Sequence, residues 1–392
     1  MIHLAAARYL VLFGSNRVRA HASMLRNQSG LRLAMSSDFP QTSRIASLSE
    51  GDGVFLESLG AAVLRGDPDQ IRSLRECARG RALRIERARC LRASGSVPDC
   101  AAHSASFADT ASATWGLQAT RSSSRYTGRG IRVAVLDTGI DLEHPDFTDG
   151  EIISHSFVPG VTIDDPNGHG THCAGILRGP KDPAARPRYG VASDADLYIA
   201  KVLDDQANGS DGDILAGIDW AIRNGCAVVS MSLGTAVLAG TAHSGVYEEI
   251  ARRALAAGSL LIAAAGNSSA RPARVAPVEH PANCPSIVSV GAVGPDLALA
   301  PFSNANEGAE DCGVDLVGPG IAVGSSVPRP TLYETQSGTS PAVPYVAGIA
   351  ALLAEAHPEA RGAALRDLLL ERALALPNAE RDAGAGLAQA PQ

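Results

Sequence analysis

Lysine is absent from the first 110 residues of this 392-residue chain, although the same stretch holds 15 Arg against ten acidic residues. That segment stands at +5, while the remainder, with 19 basic and 31 acidic residues, stands at −12 and brings the chain to −7. A negative total gives a nucleic-acid partner no electrostatic footing. The opposed halves suit either docking of a basic module on an acidic body or ordinary solvated charge. No apolar run reaches membrane-spanning length, so no membrane association is expected. The N-terminal MIHLAAARYLVLFGSNR makes a poor export signal, because Arg8 interrupts its apolar stretch and no clean small-x-small site follows. Seven cysteines, at 77, 90, 100, 173, 226, 284 and 312, form no CxxC pair, which disfavours a zinc cluster. Their odd number leaves at least one thiol unbridged within a monomer. Spacing alone neither joins Cys284 to Cys312 nor keeps them apart.

What is present is 45% hydrophobic residues and 40 glycines, in a chain long enough for one large domain and a smaller one. From about residue 115, apolar runs at 131–139, 196–203, 227–234, 259–267 and 286–293 alternate with helix-period stretches at 169–177, 213–225 and 244–258. Strands that are apolar throughout suit a parallel sheet buried on both faces. The alternation predicts an α/β, doubly wound, mostly parallel sheet with helices on both faces. Functional groups in such sheets gather beyond the carboxyl ends of the strands, which directs attention to Asp137, to Ser232-Leu233-Gly234 and to Gly266-Asn267. Earlier in the chain the order reads strand 8–13, helix 17–28, strand 31–35, strand 53–64, an Asp-capped helix over 67–77 and strand 82–91. This βαββαβ order fits a small α+β, ferredoxin-like unit. Residues 93–113 are small, polar and aperiodic, as a linker is. The expected divisions are 1–95, 96–113 and 114–392.

Three residue types point to acyl-transfer chemistry. Asp137 ends a buried strand and exits through Thr138-Gly139. His169 lies among glycines where a helix begins. Ser340 lies in GTSPAVPYVAG (338–348), another loop-to-helix junction. A nucleophilic serine needs a base within reach, and that base needs an acid to fix its tautomer. Each residue also has a plain structural reading: a turn Asp, a hydrogen-bonding His, a capping Ser. The set, on three separate segments, is what carries weight.

The stretches AVLDTGID, NGHGTHCAG, MSLG, AAAGN and GTSPAVPYVAG together resemble the subtilisin-like serine proteases over 115–390. The resemblance implies Asp137 as the orienting acid, His169 as general base and then acid, Ser340 as nucleophile and Asn267 as the oxyanion-hole amide. His172 would be a packing residue. Ser232, Leu233 and Gly234 would form one substrate-binding edge, Gly209 would lie in the opposite edge, and Gly266 would stand beside the asparagine. Cys173, four residues after His169, points to the proteinase K-like branch, where a thiol sits beneath the histidine.

Two departures bear on this. Pro341 replaces the family's usual methionine and Tyr345 its histidine. Pro341 removes only an N–H that a first helical turn leaves unbonded. The loop 178–190, rich in Arg and Pro, lacks the oxygen donors of a calcium loop, so no metal or cofactor is called for. Asp146, a calcium ligand in some relatives, is read as a turn former. The resemblance further implies that the N-terminal unit is a propeptide that assists folding, blocks the site and is removed by self-cleavage within 93–113. The expected partners are protein or peptide substrates and this propeptide. A non-catalytic binding protein on the same scaffold is the rival reading. An acid-active carboxyl-serine peptidase is disfavoured by the HGTH stretch. No acidic cluster stands out in the pocket segments, which favours broad or apolar specificity. Export is suggested by the family and not by the N-terminus.

Overall fold

The structure is a computed structural model describing residues 8–14, 30–38, 51–78, 83–97, 106–123, 125–148, 150–183, 185–305, 313–377 and 380–392, with isolated positions between 23 and 49. Its centre is a sheet of seven parallel strands in the order Leu316–Pro319, Val288–Val293, Leu260–Ala264, Val228–Met231, Arg132–Asp137, Asp196–Lys201 and Ile152–Ser156. The inner strands are almost entirely buried, which is why their sequences read as unbroken apolar runs. Helices cover both faces, so the α/β doubly wound expectation holds. Helix Thr339–Ala356 packs across five strands of this sheet and against helix His169–Arg178. The two outermost strands escaped the sequence reading. Ile152–Ser156 is a partly exposed edge containing two serines and a histidine, and Leu316–Pro319 is short and ends in proline.

The chain runs from Arg132–Asp137 out to the Ile152–Ser156 edge, returns between them, and then builds outward on the other side through Val228–Met231. The switch in direction falls between the strands that end at Asp137 and Met231, where crevices form in sheets of this kind.

The N-terminal unit has a second sheet, ordered Arg32–Met35, Asp52–Leu56, Ala61–Arg65, Arg8–Phe13 and Leu83–Arg87. Two details differ from the sequence reading. The run 53–64 is two antiparallel strands with a turn over 57–60, and 31–35 supplies an extra parallel edge. The helix expected over 17–28 falls almost wholly outside the described residues. Asp67 Oδ1 accepts from the N–H groups of Asp69 and Gln70, capping helix Pro68–Ala78.

This sheet is apolar on both faces. Val11, Phe13, Phe55 and Leu64 belong to the unit's own core, whereas Leu10, Leu12, Val54, Leu56 and Val63 belong to the core of the main body. Strand alternation sends successive residues to opposite cores. The face turned to the body lies on helices Asp211–Arg223 and Gly245–Ala256.

Candidate active site

Asp137 is fully buried at the end of its strand, and its Oδ1 accepts from the Thr138 N–H and from His169 Nδ1, each at 2.7 Å. His169 opens helix His169–Arg178 after Gly168, whose φ of +91° lies in the region glycine adopts without cost. A Cβ on Gly170 would come within 2.3 Å of the Gly139 carbonyl, so this close approach of helix and loop requires glycine. Asp165, which sequence reasoning missed, ties the junction together. Its Oδ1 accepts from Thr138 Oγ1 at 2.7 Å and from the Gly168 N–H at 3.0 Å, and its Oδ2 accepts from the N–H and hydroxyl of Thr171. Its only sequence signal was a carboxylate just ahead of an Asn-Gly turn.

With Nδ1 donating to Asp137, His169 presents Nε2 as an acceptor, and that atom is buried without a partner. Burial opposes the imidazolium, but the Asp137 carboxylate and the Cys173 sulfur beside it outweigh burial, so His169 titrates well above its ordinary value. Cys173 Sγ lies 4.0 Å from His169 Nδ1 and 3.9 Å from the Ser340 carbonyl, and burial pushes its thiol up. Asp137, His169 and Cys173 cluster closely enough to be considered as metal ligands. Nδ1 is already committed to Asp137, however, and three ligands fall short of a closed site. His172 is buried elsewhere on the helix and donates through Nε2 to the Val323 carbonyl at 3.2 Å.

Ser340 is the second residue of helix Thr339–Ala356 and is 2% exposed. Asn267 follows Gly266 after strand Leu260–Ala264, and its Oδ1 accepts from the Thr339 N–H at 2.8 Å and the Thr339 hydroxyl at 2.9 Å. Those two bonds fix the amide so that its NH₂ faces the crevice. Tyr345 is buried, its phenol 3.5 Å from the Thr114 hydroxyl and close against Gly116.

The crevice is occupied by the chain itself. The strand expected over 82–91 breaks after Arg87, and Cys90–Ala93 leaves the N-terminal sheet to pair antiparallel between Asn208–Ser210 and Leu233–Gly234. Leu91 faces Gly209 and is fully buried, while Ala93 faces Leu233. A Cβ on Gly209 would lie 2.5 Å from the Val202 carbonyl. The Ser94 N–H donates to the Ser232 carbonyl at 3.1 Å. The Ser94 carbonyl accepts from Ser340 Oγ at 2.5 Å and from Asn267 Nδ2 at 3.2 Å, and the same amide reaches the Gly95 carbonyl at 3.0 Å. Ser340 therefore donates to this carbonyl and not to His169.

Asp146 lies apart from the crevice. Its Oδ2 accepts from the phenols of Tyr189 at 2.7 Å and Tyr333 at 2.9 Å, hydroxyl donors that take up lone pairs a cation would use. Cys312 lies outside the described residues, and with it the possible pairing to Cys284.

A model of the subtilase family matches residues 128–386. The chain belongs to the subtilase family. It is 39% identical to subtilisin E of Bacillus subtilis (strain 168) over 255 residues, which is 64% of this chain and 63% of that protein. It is 39% identical to a subtilisin of Bacillus pumilus over 246 residues, 62% of this chain and 84% of the relative. It is 38% identical to alkaline elastase YaB of Bacillus sp. (strain YaB) over 281 residues, 70% of this chain and 68% of the relative. The match thus spans a little under two thirds of the length of relatives such as subtilisin E.

Proposed function

We propose that the chain is the precursor of a serine endopeptidase, with Ser340 as nucleophile, His169 as general base and Asp137 as its orienting acid. The observation that carries this reading is the Ser94 carbonyl, held by Ser340 Oγ and Asn267 Nδ2 while Cys90–Ala93 lies as a strand between two edges of the body. This is how an extended substrate would present a scissile bond. In the reaction the Ser340 hydroxyl turns toward the unpartnered Nε2 of His169, gives up its proton there and attacks the Ser94 carbonyl carbon. Negative charge develops on the carbonyl oxygen, where Asn267 Nδ2 already points. The imidazolium, stabilised by Asp137, protonates the nitrogen of Gly95, and the bond between Ser94 and Gly95 breaks. Water activated by the same histidine then releases the acyl group from Ser340.

On this reading residues 1–94 form an intramolecular propeptide, and its end is the first substrate. The boundary drawn at 95 moves by one residue. Ser232, Leu233, Gly234 and Gly209 act as backbone partners of substrate. The test is to purify the full-length wild type and Ser340→Ala and to determine their N-termini. The wild type should yield a chain starting at Gly95 and react with a fluorophosphonate, and the variant should do neither. A wild type that stays intact and unlabelled would favour the non-catalytic binding protein.

A further inference from the structure

Beside Ser94 the crevice opens into a cavity of about 280 Å³, bordered by Ser94, Gly234, Ala236, Asn267, Ser268 and Glu279. That is more than ten times the ~10–15 Å³ that admits one water. Ser94 does not fill it: its hydroxyl is buried and has no hydrogen-bond partner. The segment carrying Glu279 is stitched between the two walls. The Glu279 N–H donates to the Ala265 carbonyl at 2.9 Å, and His280 exchanges backbone hydrogen bonds with Thr235. The Glu279 side chain therefore lies against Gly234 and Gly266, where a Cβ on either residue would collide with it.

We propose that Glu279 makes this cavity a pocket for a basic side chain, so that the site prefers Arg or Lys at the residue whose carbonyl is attacked. The proposal rests on the peptidase reading above and names the substrate class of that same site. It departs from the broad or apolar preference expected from the sequence, where a lone Glu 12 residues after Asn267 gave no sign of its position. Glu279 Oε1 accepts from Ser268 Oγ at 3.2 Å, and no ion pair among the described residues engages the carboxylate. Arg92 also borders the cavity, exposed and unpaired with Glu279. Burial raises the Glu279 carboxyl above its ordinary range, with only the Ser268 hydroxyl acting against it. A carboxylate desolvated without a cation is costly, and a substrate guanidinium or ammonium would supply the missing charge. The precursor's own Ser94 leaves that charge uncompensated, so the propeptide end is a poor occupant that a basic substrate displaces.

The experiment uses mature enzyme and a set of fluorogenic peptides that differ only at the residue before the scissile bond: Arg, Lys, Phe, Ala or Glu. The wild type should show the highest kcat/KM with Arg and Lys. Glu279→Gln should lower the Arg-to-Phe ratio by on the order of 10²-fold, the effect of removing one partner of a buried charge pair. Glu279→Asp should keep part of that ratio, which a merely structural role would not produce. Wild type that cleaves Phe or Ala peptides at least as well as Arg would overturn the proposal. So would a Glu279→Gln enzyme with an unchanged ratio. If no peptide is cleaved and no fluorophosphonate reacts, the peptidase reading falls, and this inference with it.

Discussion

Proline at 344 removes the N–H that would bond the carbonyl four residues earlier, and that carbonyl belongs to Ser340. The Ser232 hydroxyl takes over, donating to it at 2.9 Å, while Cys173 Sγ stands 3.9 Å away. The missing helix hydrogen bond is thus replaced by one from Ser232, beside strand Leu233–Gly234, which links the serine's position to that strand. Ser232→Ala should destabilise the fold by ~1–3 kcal/mol, the cost of an unsatisfied buried acceptor. Urea unfolding in a Ser340→Ala background, free of self-cleavage, measures this. A loss below about 0.5 kcal/mol would mean that water or Cys173 satisfies the carbonyl. Asn267→Ala should cut kcat by roughly 10²–10³-fold, a magnitude established for this donor in a subtilisin itself. A loss confined to KM would assign the amide to ground-state binding instead. For His169, only the neutral ring accepts a proton, so kcat/KM should rise with pH through a midpoint above the ordinary imidazole value. Asp137→Asn removes the main charge opposing burial and should lower that titration, as read by imidazole NMR in the Ser340→Ala protein. A midpoint that does not fall would show that Asp137 is not its source.

At the scale of elements, the five inner strands of the main sheet were legible because they carry no polar alternation, and the helices between them because of their periodicity, whereas the two outermost strands were not. The three residues proposed for catalysis were legible because each stands at a strand end or helix start. Three further features were not. Asp165 and Glu279 are single carboxylates whose partners lie on other segments, so only folding reveals what they touch. The third is the path of Cys90–Ala93, four residues whose strand character comes from edges more than 100 positions away. The two-faced N-terminal sheet has the same origin, because half of its apolar residues are buried only by another unit. Its docking also uses polar contacts: Arg253 donates to the carbonyls of Leu59 and Phe13, at 2.5 and 2.6 Å, and Glu86 accepts from the Ser244 hydroxyl and the Val246 N–H at the start of helix Gly245–Ala256. Arg253→Ala should weaken the binding of a separately added 1–94 segment to the mature body by ~10–10²-fold, the value of charge-assisted hydrogen bonds. Inhibition constants measure it, and an unchanged constant would leave the apolar face as the whole of the attachment.

Across the whole molecule the charge asymmetry is real, but it contributes little to docking. Arg8 stands 3.9 Å from Asp213 and Arg89 3.6 Å from Asp211, and because both carboxylates are buried, their desolvation offsets much of the attraction. Each buried leucine among Leu10, Leu12, Leu56 and Leu59 contributes ~1.5–3 kcal/mol, so hydrophobic burial dominates the interface and high salt should not release the unit. Acid acts through a different group. Burial, and then the charge of His169, hold His172 down at about 3, against 6.5 for the same side chain unfolded. Between those values the unfolded chain binds a proton that the folded one refuses. Stability is therefore fully present above pH 6.5 and declines as pH falls toward 3, by on the order of 4 kcal/mol from this residue. His169, raised in the fold, works in the opposite sense: it stabilises in acid, and that contribution is lost as pH rises through its folded value. The two effects separate by mutation. His172→Gln keeps an N–H for the Val323 carbonyl and removes the titration, so urea midpoints of the Ser340→Ala protein should fall less steeply between pH 6.5 and 4 in the double variant. An equally steep decline would place the acid sensitivity in other groups.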